Sequence, residues 1–262
     1  MDFIIQTVNG QCRLDLCQAM QNAIDFDNWR AQKSIDRVFY CSIEELDAEL
    51  LTKLSKTSAN YCPVGTLEFV FKYIDLVYGN NANRKIKPLN VPKELEQYAL
   101  GEVFYDGQDA LSDYLHTDNH KRLFMKSMDN FKDESNGFIE DITEVKEHTQ
   151  LIEENELLTD EWRVFIHNSK AVDIKKYSGD PFIFPIVEEI KPIIDIATYN
   201  CGIKEGTVDV GMITWFDNGE EHRRMKVIEC HDFFSCGLYG FSDYSILPIM
   251  LWRTWLKIQR LL

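Results

Sequence analysis

The sequence predicts a two-part chain, an α/β unit followed by an α+β unit. Three observations carry this. Over the first hundred residues, short apolar runs alternate with stretches of helical spacing. A polar, proline-containing stretch at 80–96 (NNANRKIKPLNVPKELE) then breaks the pattern. Beyond it, apolar runs are joined by the tight-turn signals Asn168-Ser169 and Asp217-Asn218-Gly219, as in antiparallel hairpins.

In the first part, Asp2 to Val8 is a short apolar strand and Leu14 to Ile24 has helical spacing. Arg37 to Cys41 is a second strand. Ser42 followed by Glu45 is a capping box that opens a helix to about Leu54. Pro63 stands in a first-turn position, ahead of apolar residues at helical spacing from Leu67 to Val77 that stop at Gly79. Strand, helix, strand, helix implies a parallel sheet.

In the second part, strands are expected at Arg122 to Lys126 and Gly137 to Ile139, followed by an acidic helix from Ile142 to Leu158. Strands Glu161 to Ile166 and Ala171 to Tyr177 flank the first tight turn. A helix is expected from Phe182 to Ala197, then strands Thr207 to Phe216 and His222 to Cys230 around the second turn, and a terminal helix from about Ser245.

Composition narrows the function. The chain has 262 residues, enough to bury a substantial core, and 45% of them are hydrophobic. Its 43 acidic and 28 basic residues give a net charge of −15, a field that repels phosphate backbones and anionic lipid. Nucleic-acid binding and stable membrane association are therefore not expected. Seven cysteines with no CxxC argue against a disulfide framework or zinc ribbon, and MDFIIQTVNG lacks the features of a signal peptide. A cytoplasmic setting is the expectation.

Four clusters in the second part could carry chemistry. In RLFMKSMDNFK, Lys126 and Lys132 either hold phosphate oxygens or are solvated loop lysines. In ENELLTDEWRVFI, strand alternation puts Glu161, Arg163 and Phe165 on one face and Trp162, Val164 and Ile166 on the other. Glu161 and Arg163 either form a surface ion pair or line a cleft. Asp209 interrupts an otherwise apolar strand in TVDVGMITW. In VIECHDFFSCGLYG, Glu229 ends a strand, with His231 on the same face and Asp232 adjacent. Acidic groups at such positions are costly unless paired or bound to a cation, and oxygen ligands suit magnesium.

The ordered set FMKSMDNFK, EWRVFIHNSKAVDIKKYSGD and VDVG…VIECHDFFSCGLYG, with PVGTLEFV upstream, resembles the ATP-grasp superfamily, in particular its phage-enriched branch marked by an arginine and two lysines. The resemblance covers roughly residues 120–240. It implies a small Rossmann-like domain over 1–95, then an ATP-grasp domain over 96–262, its N-lobe about 96–153 and its C-lobe about 154–262. ATP would lie between the lobes, with Lys126, Lys132 and Arg163 on its phosphates. Glu154, Glu156 and Leu157 would form the adenine hinge, and Glu161 would accept from the ribose. Asp209 and Glu229 would hold Mg2+. Many members have asparagine where this chain has His231, so the third metal oxygen would come from Asp232 or from solvent. If protonated near pH 7, His231 would instead contact an acyl-phosphate or the incoming substrate. The implied activity is ATP-dependent joining of a small-molecule or peptide carboxylate to an amine. Rival readings are a kinase-like nucleotide-binding protein, and a binding or inhibitory module on the same fold.

Overall fold

The computed structural model of the chain describes residues 1–32, 36–55, 60–105, 122–139, 142–154, 157–234 and 236–262. Contacts divide it into two units, Met1–Ile86 with Phe233–Leu262, and Lys87–Asp232.

In the first unit, β1 (Asp2–Gln6) lies between β2 (Arg37–Cys41) and β3 (Cys62–Val64), and both pairings are parallel. Phe3, Ile4 and Ile5 of β1 are fully buried, as expected of a central parallel strand covered on both faces. The helices are α1 (Asp15–Ala31), α2 (Ala48–Ser55) and α3 (Leu67–Tyr78). Helix α1 extends a turn and more past the expected end and stops at Gln32, whose φ of 53° is left-handed.

Two expectations at helix starts are corrected. Pro63 lies in β3, paired with Ile4, and not in a helix; an edge strand tolerates a residue without an N–H. Helix α3 begins instead after Thr66, whose hydroxyl accepts from the Phe69 N–H at 3.3 Å. Thr66→Ala is expected to cost about 1 kcal/mol, read as a shift in the urea midpoint. The Ser42–Glu45 box does form, with bonds of 2.7 and 3.3 Å, but it closes a turn. Helix α2 starts after Asp47, which accepts from the Leu50 N–H at 2.7 Å. The terminal helix, α5 (Leu247–Gln259), belongs to this unit and packs on α1 and β3.

Among the described residues the second unit holds two four-stranded sheets. The smaller has the order β4-β7-β5-β6, from β4 (Val103–Phe104), β5 (Leu123–Ser127), β6 (Gly137–Ile139) and β7 (Thr149–Glu153). The larger has the order β11-β10-β8-β9, from β8 (Leu158–His167), β9 (Lys170–Ser178), β10 (Glu205–Asp217) and β11 (Glu220–Asp232). All these pairings are antiparallel. Both tight turns form as the sequence indicated. Asn168 and Ser169 have φ of 52° and 59°, and Asn218 and Gly219 have 50° and 84°, the paired positive values of a type I′ hairpin.

The expected acidic helix over 142–158 is absent among the described residues. Ile142–Glu144 is a single 3₁₀ turn, and Thr149–Glu153 is a strand paired on both sides, with β4 and β5. The next helix, α4 (Val187–Asp195), starts later than Phe182 because Pro185 disfavours helical backbone at Phe184. It continues as a π-turn over Ile196–Asn200.

One face of the larger sheet is core. Trp162, Val164 and Ile166 of β8 and Val208, Val210 and Met212 of β10 pack with Ile190 and Ile193 of α4. The opposite face therefore presents Arg163, Asp209 and Glu229. The outer edge of β11 is covered by residues 90–99, through bridges from Asn90 to Cys230 and from Ala99 to Val227. No helix among the described residues is long and apolar enough to cross a membrane.

Candidate functional site

The candidate site lies wholly within the second unit, on the face of the larger sheet that the core leaves free. Strand register builds it. Asp209 on the inner strand β10 is the direct partner of Arg163 on one side and of Glu229 on the other. Between Asp209 and Val210 the β10–β11 register shifts, with Ile228 the extra residue on β11. Such a bulge re-aims the side chains beside it.

Arg163 and Asp209 form a two-pronged ion pair, Nε to Oδ1 at 2.8 Å and a terminal guanidinium nitrogen to Oδ2 at 2.7 Å. Arg163 is 6% exposed and Asp209 2%. Glu229 is held from two directions. Lys126 Nζ lies 2.5 Å from Oε2, and His231 Nε2 lies 2.9 Å from Oε1. Burial pushes the Glu229 carboxyl up, but the bond and charge of His231 and the charge of Lys126 outweigh it. The group is held well below the usual carboxylate range.

Lys126 reaches this place because β5 alternates. Leu123 and Met125 face their own apolar cluster, while Lys126 and Phe124 take the other side, 5.8 Å from ammonium to ring. A strap fixes the approach. The Asn90 carbonyl accepts from the Cys230 N–H at 2.7 Å, and its side-chain amide donates to the Ser127 carbonyl at 2.9 Å. One buried residue with a left-handed φ of 47° thus ties together the neighbours of Glu229 and Lys126. Its sequence context, a polar stretch that reads as a linker, gives no sign of this.

The remaining expected residues divide. Glu161 accepts from the Tyr177 hydroxyl at 2.9 Å. Burial first, then the charges of Asp209, Glu161 and Glu229, push the Tyr177 hydroxyl far up, so it stays protonated and donates. The backbone N–H of Glu154 donates to the Arg122 carbonyl at 2.8 Å, and its side chain pairs with the Arg122 guanidinium at 3.1 Å. The Leu157 carbonyl accepts from the Thr214 N–H at 2.9 Å. Glu156 lies outside the described residues.

Two of the expected residues are not brought into this group. Lys132 is exposed in a turn, with φ of 46°, and makes none of the hydrogen bonds or ion pairs found among the described residues of the site. A different lysine, Lys175 on β9, is the direct cross-strand partner of Arg163, and it pairs with Asp173 at 3.2 Å. Asp232 is the other. It follows Cys230 by two, and Cys230 is fully buried in the core on the opposite face, its thiol pushed up by burial. The group that converges is Asp209, Glu229 and His231, whose ligand atoms all lie within 4.8 Å of one another.

Two carboxylates and an imidazole are donor types that can hold a divalent cation. Beside them, Thr207 is fully buried, and its hydroxyl has no partner among the described residues. It stands directly opposite His231 and two positions from Asp209 on β10.

Over residues 111–248 the chain matches the family described as ATP-grasp domain, R-2K clade family 2. No curated protein matches it in sequence. Among solved structures, a RimK domain ATP-grasp protein from Sphaerobacter thermophilus DSM 20745 has a TM-score of 0.52 at 10% identity, covering 98% of this chain and 100% of that one. The D-alanine–D-alanine ligase of Bacillus anthracis, solved with ATP, has a TM-score of 0.47 at 13% identity, covering 99% and 98%. The macrocyclase MdnC of Microcystis aeruginosa MRC, bound to its precursor peptide MdnA, has 0.43 at 11%, covering 99% and 100%. The first of these likenesses shows a shared fold.

Proposed function

The chain belongs to the ATP-grasp superfamily, in family 2 of its R-2K clade, and from that premise we propose that it is an ATP-dependent ligase joining a carboxylate to an amine through an acyl-phosphate. The observation that carries this reading is the convergence of Lys126, Arg163, Asp209, Glu229 and His231 on one sheet face. Basic residues gather there in a chain of net charge −15.

The reaction runs in two displacements. An oxygen of the acid attacks the γ-phosphorus, and the bond from phosphorus to ADP breaks. The amine nitrogen then attacks the acyl carbon, the carbon–oxygen bond to phosphate breaks, and the amide forms with loss of a proton. Neither step needs a covalent enzyme intermediate, so positioning and charge neutralisation are what the protein supplies. Lys126, Arg163 and Lys175 are the cations assigned to the phosphates. Asp209 and Glu229 are the carboxylates assigned to a divalent ion, which when bound neutralises phosphate charge. Glu161 is assigned to a ribose hydroxyl.

The ion pairs fit this division of roles. Lys126 pairs with Glu229 and Arg163 with Asp209, so each of these four charges has an opposite partner. With a cation and a triphosphate bound, the carboxylates Asp209 and Glu229 would face the cation and Lys126 and Arg163 the phosphates. Charge balance is kept in both states.

The test is incubation with ATP, a divalent cation and pools of amino acids and peptides. ADP and phosphate should appear only when acid and amine are both present, with a product heavier by the acid less water. ADP release without an amine would indicate a kinase-like activity instead. Failure to bind nucleotide in calorimetry would leave only a binding module.

A further inference from the structure

The third donor of the converging group is a nitrogen, of His231. Asp209 and Glu229 face each other across β10 and β11, and His231 stands two positions along on Glu229's side. Its Nε2 is 2.9 Å from Glu229 Oε1. Metal–ligand distances of about 2.1 Å put neighbouring donors of an octahedral shell about 3.0 Å apart, which is the spacing this pair already has. Thr207 is a second, independent observation on the same sheet face: a fully buried hydroxyl, directly opposite His231 in the strand register, with no partner among the described residues.

We infer that His231 is a direct ligand of the nucleotide-associated cation and that the site takes Mn2+ in preference to Mg2+. The inference rests on the nucleotide-binding reading above and adds the identity of the metal. Magnesium is a hard ion that demands oxygen donors and gives up water reluctantly. Imidazole suits the transition ions, and Mn2+ combines that tolerance with affinity for carboxylate and phosphate oxygens. Zinc is a poorer match, because it favours four-coordinate nitrogen and sulfur sets.

Electron paramagnetic resonance on the full chain with ADP tests this. Loss of the free Mn2+ signal gives its affinity, and displacement by Mg2+ gives the ratio. Mn2+ should bind at least tenfold more tightly, and spin-echo modulation should show a directly bound ¹⁴N. His231→Asn should abolish the ¹⁴N modulation and lower the Mn2+ to Mg2+ preference by about 10–100-fold, the range lost even when an outer-shell partner of a metal ligand is removed. Bound Mn2+ without ¹⁴N modulation in the unaltered protein, no Mn2+ binding at all, or an unchanged ratio in His231→Asn would each overturn the inference. The wild-type spectrum decides even if the variant does not fold. Ligase turnover measured on the same samples separates the two readings. Turnover without ¹⁴N contact sinks only the metal assignment, and ¹⁴N contact without turnover sinks only the ligase.

Discussion

Lys126→Met should lower ATP turnover by about 10²–10³-fold, the usual cost of removing one preorganised charge donor from a transition state. Methionine keeps most of the stem beside Phe124 and removes only the ammonium. The same ammonium sits 2.5 Å from Glu229, so the substitution also touches stability. Glu229 would retain His231 but lose a cation that helps hold its carboxyl ionised. A carboxyl whose folded pKa is depressed adds stability above its unfolded pKa of about 4.3. That contribution fades as pH falls through the folded value. With Lys126 gone the folded value rises, so acid unfolding of the variant should begin at a higher pH than in the unaltered protein. At neutral pH the loss should be on the order of 1 kcal/mol, because both partners keep some solvent contact. Turnover at neutral pH and urea midpoints at several pH values measure the two effects separately. Turnover within tenfold of the unaltered protein would remove Lys126 from the phosphate site.

What the sequence disclosed, and what it hid, follows from the range of the forces involved. Asn218-Gly219 and Asn168-Ser169 mark their hairpins because few residues accept two successive positive φ angles, a purely local cost. The two faces of β8 were legible for a similar reason, since alternation with period two separates Arg163 from Trp162 without reference to any other strand. Asp209 and Glu229 betrayed themselves as acids inside apolar strands. The strand at Thr149–Glu153 did not, because its flanks are rich in helix-forming acidic residues. Pairing with β4 on one side and β5 on the other outweighs that preference. Lys132 and Lys175 show the limit for the site itself. Which lysine stands beside Arg163 depends on the β8–β9 register, which carries bulges at Glu161/Trp162 and Phe165/Ile166. Asn90 is harder still, because its two bonds reach Ser127 and Cys230 across large stretches of sequence. The return of the C-terminal helix to the first unit is a long-range packing choice of the same kind.

Arg163→Met is expected to destabilise the protein by about 3–5 kcal/mol, the cost of leaving a buried charge without its partner. Asp209 is 2% exposed and receives two bonds from the guanidinium, so it cannot be rehydrated without opening the sheet. Asp209→Leu alone should cost a similar amount by stranding the arginine. The double substitution Arg163→Met with Asp209→Leu should recover most of the loss, because two apolar side chains of comparable volume remove both desolvation penalties at once. On the proposed assignment such a protein would be stable and inactive, since it would lack one phosphate cation and one metal carboxylate. Arg163→Lys is the discriminating intermediate: it keeps the charge but loses the two-pronged geometry, so it should fall between the single variants and the unaltered protein in stability. Urea unfolding of the four substituted proteins gives the coupling energy directly. A coupling below about 1 kcal/mol would mean that the pair is solvated, as a surface ion pair would be. Arg163 would then owe its place on this face to the nucleotide alone. A coupling of several kcal/mol would instead mean that phosphate and cation must replace the two partners together. Nucleotide and metal should then bind with strong mutual cooperativity in the unaltered protein, and calorimetric titration of each in the presence of the other would show it.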